Sequence, residues 1–430
     1  MAYEVVIKRD APDGPHHEVD VNHIFFSVTD SKGIMTHVNE VFIHYAQYPE
    51  VEMIGKPHNL IRHIEMPGGA FKLMWDVIED GRPFAGYVRN RAKSGSAYDV
   101  FATVTPLPNG DCLSVRTRPM TELFKVVGDV YQAVNDVEWK ARHEGVGRRR
   151  RAELGLDKLQ ELVPDYDAFV AEALPAEVLA REEAGFDLPE GTGEVYEATK
   201  RLYRELDRFM EIQSSIKEAA EELAKASQTL VEENAVTNSV KGEMENVMAE
   251  GAARTLLLAP LQVWATMRGI IDENAQSLNE VAGELAKKAA SARMAIALAR
   301  LHTAQTAIFS LEANRGEVLS MLFDALEVDV KQMDDAVFLH SSLANRVDLK
   351  VNSISELTKM PLEMIRRWSQ TTAQEPFGEN IEPLVAQVHR AIQAADNSIE
   401  RLHASSQKLG SDPAIDGVHD ALENLRALLK

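Results

Sequence analysis

The sequence predicts a small α+β domain at the N-terminal end and an all-α region after it. Short β-type runs separated by turn residues fill the stretch up to about residue 120, and nearly every later segment has helical periodicity. The chain has 430 residues, of which 45% are hydrophobic, and this is enough for several cores. We therefore expect an antiparallel five-stranded sheet with helices, followed by a coiled-coil or helical-bundle region.

Composition and periodicity divide the chain into five segments. The first helix after the β-type sequence, at 121–144, would leave the α+β domain directly and could act as a lever. The predicted segments are an N-terminal extension at 1–22, the α+β domain at 23–120, a helical linker at 121–195, long antiparallel coiled-coil helices at 196–318 and a C-terminal helical region at 319–430.

Five runs in the first domain are typical of strands, and turn residues separate them. In chain order the runs are IFFSVTD, IMTHVN, FAGYVRNRA, AYDVFATVTPL and CLSVRTR. Ser94-Gly95 and Asn109-Gly110 predict hairpin turns between the last three runs. The segment PGGAFKLMWDVIEDG predicts a helix that begins at Pro67 and stops at Gly81.

Two helices after residue 195 carry seven-residue repeats of apolar side chains. The first repeat covers about six heptads, although Glu233 interrupts it. Its main positions are Leu202, Phe209, Ile216, Leu223, Leu230, Thr237 and Met244. The second helix, at 261–313, repeats at Ile271, Leu278, Leu285, Ala292 and Ala299. An antiparallel hairpin, a dimeric four-helix bundle and a monomeric bundle all fit, and we expect a homodimer through residues 200–310.

Charge and cysteine content exclude several classes of protein. The formal net charge of −21 argues against tight binding to nucleic acid or to an anionic membrane. Cys112 is the only cysteine, so an intrachain disulfide and a cysteine-based zinc site are excluded. The first residues lack the apolar core of a signal peptide, and the best apolar run, at 255–267, is too short to span a bilayer. We expect a cytoplasmic protein without membrane insertion.

The four arginines at 148–151 are the only basic run in this acidic chain. A solvated helix face or a set of internal salt bridges is the default interpretation of such a run, and contact with nucleic acid or an acidic partner is the alternative.

No catalytic motif is present. The chain lacks the GxxxxGK, HExxH and GxSxG patterns and a glycine-rich nucleotide box after a strand. His302 and His403 lie on predicted helices as a phosphoacceptor would, but no ATP-binding domain follows either of them. We therefore expect a protein that is not an enzyme, with a degenerate histidine kinase as the enzymatic alternative.

Four segments of the first domain resemble a known family. SVTDSKGIMTHVNEVF, PHNLIRHIEMPGGAFKLMW, GRPFAGYVRNRAKSG and YDVFATVTPL are similar to the PAS domain of the bacterial aerotaxis receptors, over about residues 23–118. The resemblance implies a PAS fold, non-covalent binding of FAD and a report of redox state. It does not extend to the helical remainder, in which we find neither a membrane anchor nor the signalling hairpin of those receptors.

The resemblance also implies which residues hold the cofactor. The cofactor-binding positions carried over are Asn39, His58, Arg62, His63, Phe71, Trp75 and Asn90. Their chemistry is compatible with a flavin, because aromatic side chains can form walls, amides can bind the polar ring edge and a guanidinium can bind a pyrophosphate. Haem is the alternative cofactor, with His58 or His63 as the metal ligand.

These observations favour a signal transducer in which the PAS domain senses redox state or oxygen and biases the packing of a helical output. The output would contact an unidentified signalling protein. The alternatives are a haem-binding gas sensor and a helical scaffold whose ligand-free PAS domain serves dimerisation.

Overall fold

A computed structural model describes residues 16–248, 252–311, 316–372, 380–410 and 415–429. The strands are β1 His16–His17, β2 Phe25–Thr29, β3 Met35–Val38, β4 Phe84–Arg91, β5 Ala97–Pro106 and β6 Cys112–Thr117. The helices are α1 Glu40–Ala46, α2 Glu50–Met53, α3 Gly68–Glu79, α4 Leu123–His143, α5 Arg148–Leu162, α6 Tyr166–Glu183, α7 Glu194–Val247, α8 Ala252–Ser310, α9 Gly316–Val337, α10 His340–Thr372, α11 Glu382–Leu409 and α12 Asp416–Leu429. A short 3₁₀ helix spans His58–Ile61.

The chain forms two compact units. Unit 1 comprises the described residues of Met1–Met210, Arg293–Asp334 and Ile415–Lys430, and it contains the sheet. Unit 2 comprises the described residues of Glu211–Ala292 and Asp335–Ala414 and is helical. The units combine parts of segments that the sequence predicts as separate, and the predicted segment boundaries stay a prediction.

An antiparallel sheet in the order β4-β5-β6-β2-β3 confirms the predicted α+β fold. The five predicted runs form β2 to β6, and Gly95 and Gly110 take the positive φ angles of 92° and 89° that hairpin turns require. The expected strand number needs a correction, because β1 pairs in parallel with the start of β5 and gives a six-stranded sheet. β1 lies in the predicted N-terminal extension, and residues 1–15 of that segment lie outside the described residues.

The short helices between β3 and β4 pack on one face of the sheet around a core that includes Phe25, Phe42 and Tyr98. α3 begins after Pro67, and Gly81 follows its end with a φ of 75°, as the sequence predicts. A cavity lies between α3 and strands β4 to β6.

A buried carboxylate fixes the exit from the sheet into α4. Glu177 of α6 accepts hydrogen bonds from the Met120 and Thr121 amides at 2.5 Å and 3.0 Å, and from the Thr121 hydroxyl at 2.5 Å. The Tyr87 hydroxyl of β4 donates to the same carboxylate at 2.8 Å. One side chain of α6 therefore joins the sheet to the residues that lead into the exit helix α4.

Helices of unit 1 also cover the other face of the sheet. Phe26 of β2 packs on Phe309 of α8 with ring centroids 5.0 Å apart. Neighbouring residues of a strand point to opposite faces, so Phe26 faces these helices while Ser27 faces the cavity side.

The seven-residue stripes lie in helical cores of a single chain. In unit 2 the stripe of α7 packs with residues of α8, α10 and α11 in one core, and Leu223 and Leu278 are both fully buried there. The Ser227 hydroxyl donates to the Ala275 carbonyl and Asn234 donates to Asp272, so α7 and α8 run antiparallel. Residues 312 and 313 of the predicted second helix lie outside the described residues. Because these stripes are covered within the chain, they no longer require a second copy, and the homodimer stays a prediction.

Among the helices in the described part of the chain, none is both long enough and apolar enough to cross a bilayer.

Candidate cofactor-binding cavity

A cavity of about 960 Å³ lies inside the α+β domain, between α3, the 3₁₀ helix and strands β4 to β6. Its volume is at the upper end of the range of about 300–1,000 Å³ that is typical of sites for small molecules and cofactors. Residues of α4 and α5 line one end, namely Glu138, Arg148, Arg151 and Ala152. The site is therefore formed by the domain together with the helices that follow it.

One wall of the cavity is aromatic and aliphatic. Phe71, Met74 and Trp75 line it from α3, because residues three and four apart share one helix face. Val88 and Val104 face them from the sheet. A flat apolar group can be enclosed between these two surfaces.

Gly33 permits the position of Trp75. Its φ angle is 76°, and a Cβ atom at this position would lie 3.1 Å from Cζ2 of the Trp75 ring. Glycine is therefore needed for both the turn and the close approach of the indole.

Two buried polar side chains of the lining lack hydrogen-bond partners at one nitrogen each. His63 is 2% exposed and its Nδ1 accepts from the Glu65 amide, but its Nε2 has no partner among the described residues. Asn90 of β4 is also 2% exposed, and its Nδ2 has no partner there either. Buried polar atoms are rarely left unpaired because each costs about 1–3 kcal/mol. Both residues line the cavity, so a ligand with polar atoms could supply the hydrogen-bond partners that these two nitrogens lack.

Arg62 lies between the aromatic wall and the helical end of the cavity. Its guanidinium donates to the Met66 carbonyl at 2.7 Å and stacks over the Phe71 ring at 4.2 Å from the centroid. Burial lowers the pKa of Arg62 to about 10, while Glu138 nearby opposes that shift and Arg148 adds to it. The Arg62 side chain is thus held in place, and its remaining N–H groups can donate to a ligand.

A histidine and an arginine meet on the opposite wall. Arg116 of β6 is 4% exposed and donates to Nε2 of His58 at 2.6 Å and to the Ser27 hydroxyl at 3.2 Å. A guanidinium can only donate, so His58 must be neutral with its proton on Nδ1. Burial, with the Arg116 charge as a second cause, lowers the pKa of His58 well below 6.5. Burial likewise lowers the pKa of Arg116 to about 10.

The lining carries an excess of positive charge in a chain whose net charge is −21. Seven lining side chains are cationic and three are carboxylates. The cationic residues are Lys32, Arg62, Lys72, Arg91, Arg116, Arg148 and Arg151, and the acidic ones are Asp76, Glu79 and Glu138. Lys72 pairs with Asp76 at 2.7 Å, whereas no carboxylate of the described residues forms an ion pair with Arg62, Arg116, Arg148 or Arg151. The cavity therefore favours an anionic ligand.

Six of the seven predicted site residues line this cavity: His58, Arg62, His63, Phe71, Trp75 and Asn90. Asn39 does not. Its side chain begins α1 by accepting from the Phe42 amide at 3.0 Å, accepts from the Phe26 amide and donates to the Ile24 carbonyl. The structure therefore gives Asn39 the role of a helix N-cap that also ties α1 to β2.

Arg116, Glu138, Arg148 and Arg151 were not predicted as site residues. The basic run was the available signal for two of them, and the structure divides that run by helix face. Arg149 and Arg150 form the expected salt bridges with Glu153 on the outside, whereas Arg148 and Arg151 line the cavity. No cluster of three or more His, Cys, Asp or Glu side chains suited to a metal ion occurs in the part of the chain that the structure describes.

The antiparallel sheet and the cavity beside it are compatible with a PAS domain, and comparison with known proteins identifies one. Residues 35–117 match the family model of the PAS fold. The chain is 36% identical to the aerotaxis receptor of Escherichia coli (strain K12) over 129 residues, which are 29% of this chain and 26% of the receptor. It is 24% identical to the nitrogen fixation regulatory protein of Klebsiella pneumoniae over 91 residues, 21% of this chain and 18% of that protein.

The N-terminal part of the chain is therefore a PAS domain similar to that of an aerotaxis receptor, and the match spans about a quarter of that receptor's length. Among solved structures, the light state of the blue-light photoreceptor Aureochrome1 LOV aligns with a TM-score of 0.22 and 15% identity. That alignment covers 24% of this chain and 86% of the photoreceptor chain.

Proposed function

We propose that the PAS domain binds FAD non-covalently and that the chain is a signal transducer reporting redox state or oxygen. The observation that carries this proposal is the composition of the cavity, which joins an apolar wall, two unpartnered buried nitrogens and an excess of cationic side chains. A flavin dinucleotide needs all three, because it links a flat apolar ring with a polar edge to a diphosphate. The similarity to the PAS region of the aerotaxis receptor supports the same assignment.

The lining residues divide among the parts of such a cofactor. Trp75, Met74 and Val104 would enclose the ring, while His63 and Asn90 would bind its polar edge. Arg62 is suited to the diphosphate because its planar fork of donors matches phosphate oxygens. When bound, FAD supplies reversible uptake of electrons, so the charge inside the cavity depends on its redox state.

One path from the cavity to the helices runs through β2. Arg116 touches His58 inside the cavity and Ser27 on β2, so a change of charge in the cavity acts on this strand. The residue before Ser27 is Phe26, which packs on Phe309 of α8 from the opposite face of the sheet. A small displacement of β2 would therefore alter the packing of α8 in unit 1.

A second path runs through α3 and the exit helix. Glu138 of α4 accepts hydrogen bonds from the Gly68 and Gly69 amides at the start of α3, the helix that carries Trp75. The segment just before α4 is also fixed, because Thr121 donates to Glu177. Movement of α3 against the cofactor would act on α4 through Glu138, while Glu177 holds the segment just before α4. The exit helix would then be the lever that the sequence predicts.

We further propose that the helical region contacts an unidentified signalling protein in the cytoplasm and that the chain acts as a homodimer without enzymatic activity. Light scattering on the purified chain tests the oligomeric state. A mass of one chain at micromolar concentration contradicts the homodimer and leaves the cofactor proposal unaffected.

The absorption spectrum of the purified chain tests the cofactor. We expect the bands of oxidised flavin, released by heat as FAD, and weaker retention in Arg62→Lys, which keeps the charge but loses the fork of donors. Arg82→Lys is the control, since Arg82 pairs with Asp167 on the surface. A Soret band would show that the bound cofactor is haem and not FAD. A colourless chain that takes up neither FAD nor haemin contradicts the sensor and leaves the ligand-free scaffold.

A further inference from the structure

The helical end of the cavity combines guanidiniums from two parts of the chain, and those of Arg62 and Arg151 each donate to a backbone carbonyl. Arg62 belongs to the PAS domain, and Arg148 and Arg151 belong to α5, which begins thirty-one residues after the end of β6. None of the three forms an ion pair with a carboxylate of the described residues. Glu138 is the one carboxylate of the described residues at this end of the cavity, and its charge acts on Arg62 without forming an ion pair. Three guanidiniums against one carboxylate leave an excess of positive charge that an anionic ligand would offset.

Helix periodicity explains why only two members of the basic run face the cavity. Residues 148 and 151 are three apart and lie on one face of α5. Arg149 and Arg150 turn outward, where Arg150 donates to Glu153 at 3.0 Å. The run therefore contains two arginines with an acidic partner and two without one, on adjacent positions of the same helix turn.

Close packing holds this face of α5 at the cavity. A Cβ atom at Gly69 would lie 2.3 Å from the backbone carbon of Gly155, so α3 and α5 touch with no side chain between them. A Cβ atom at Gly155 would in turn lie 2.0 Å from Oε1 of Glu138. The close packing of Gly69, Gly155 and Glu138 thus fixes the position of α5. It thereby also positions Arg148 and Arg151 in the first turn of that helix.

We propose that Arg148 and Arg151 of α5, together with Arg62, form a diphosphate-binding site that makes the cavity select a flavin dinucleotide over flavins without a diphosphate. This rests on the proposed binding of FAD. Guanidiniums bind phosphate oxygens in a bidentate manner, and two phosphate groups supply enough acceptors for three such forks. The same contacts would connect α5, a helix outside the PAS domain, directly to the cofactor in the cavity.

Titration of the full-length apoprotein with FAD and with riboflavin, followed by flavin fluorescence, tests this inference. We expect Arg148→Ala/Arg151→Ala to weaken FAD binding by about 100-fold, from about 1.5 kcal/mol for each charged hydrogen-bonding side chain. Riboflavin binding should be unchanged, because riboflavin has no phosphate. Arg149→Ala/Arg150→Ala is the matched control, which removes the same charge from the same helix turn and should leave the affinities for both flavins as in the wild type.

The outcomes separate the two proposals. If wild-type protein binds FAD and riboflavin equally well, or if both double variants weaken FAD equally, the diphosphate site is wrong while flavin binding stands. If the cavity variant loses FAD and riboflavin alike, the arginines act on folding and the inference is likewise overturned. If wild-type protein binds no flavin, the proposed function fails and the inference fails with it.

Discussion

Glu138 of α4 accepts a hydrogen bond of 2.7 Å from the backbone amide of Gly69 in the first turn of α3. The carboxylate lies where the free amides and the dipole of α3 favour negative charge, and it accepts from Gly68 as well. The exit helix α4 is therefore joined to the backbone of α3, the helix that carries Trp75.

Gly69→Ala should destabilise the PAS domain. The added Cβ would lie 2.3 Å from the Gly155 backbone, which cannot rotate away as a side chain would. We expect a loss of about 3 kcal/mol, the upper part of the range for overpacking, seen as a lower melting temperature. Gly128→Ala is the control in α4, because nothing lies within 4 Å of its Cβ position. That change should be neutral or stabilise by up to about 1 kcal/mol, and equal effects of the two changes would contradict the close packing.

Glu177→Gln should loosen the start of α4. The buried carboxylate accepts from Tyr87, Met120 and Thr121, and an amide can neither carry the charge nor accept from all of them at once. We expect a loss of about 2 kcal/mol or more in melting experiments. Glu183→Gln, at an exposed position of the same helix, should have no effect. A melting temperature equal to that of the wild type in Glu177→Gln would show that the network does not hold α4.

His58 should make the ligand-free protein less stable as the pH falls. Its folded-state pKa lies well below 6.5, so near pH 6 the unfolded chain binds a proton that the folded chain does not. The stability that the neutral ring contributes is complete above about pH 6.5 and is lost below it, by at most about 1.4 kcal/mol for each pH unit. Melting temperatures between about pH 7.5 and 5.5 should fall less steeply in His58→Gln than in wild type. The exposed-site variant His143→Gln should follow the wild type, and equal slopes in all three proteins would contradict this expectation.

Local sequence patterns predicted the sheet well because each strand is defined by its own alternation and turn residues. β2 to β6 and the turns at Gly95 and Gly110 follow directly from the runs that predict them. β1 could not be predicted, since two histidines are too short to show a pattern, and their pairing with β5 depends on distant residues.

Apart from Asn90 of β4, the predicted residues that line the cavity lie in one segment of the chain. His58, Arg62, His63, Phe71 and Trp75 come from a single stretch and line the cavity together. Arg116 was missed because a buried arginine in a strand is unusual, and its inward position depends on its contacts with His58 and Ser27. Arg148 and Arg151 were missed because the packing of α5 on α3 depends on Gly69 and Gly155, which are far apart in sequence.

The seven-residue stripes show a different limit of sequence patterns. Periodicity correctly marked faces that are buried, including Leu223 and Leu278, but it does not indicate which helix covers them. In unit 2 the cover comes from α10 and α11 of the same chain, whose own sequences were expected to form a separate region.

Amide hydrogen exchange of the FAD-loaded chain, compared between the oxidised and the reduced protein, tests most directly whether the cavity communicates with the helices. We predict different exchange rates at the amides that bind Glu138 and Glu177, which are Gly68, Gly69, Met120 and Thr121. Glu382–Leu409 of unit 2 should serve as an internal reference with smaller changes than these four amides. Identical exchange at all four amides in the two redox states would contradict the proposed transducer, even if the chain binds FAD.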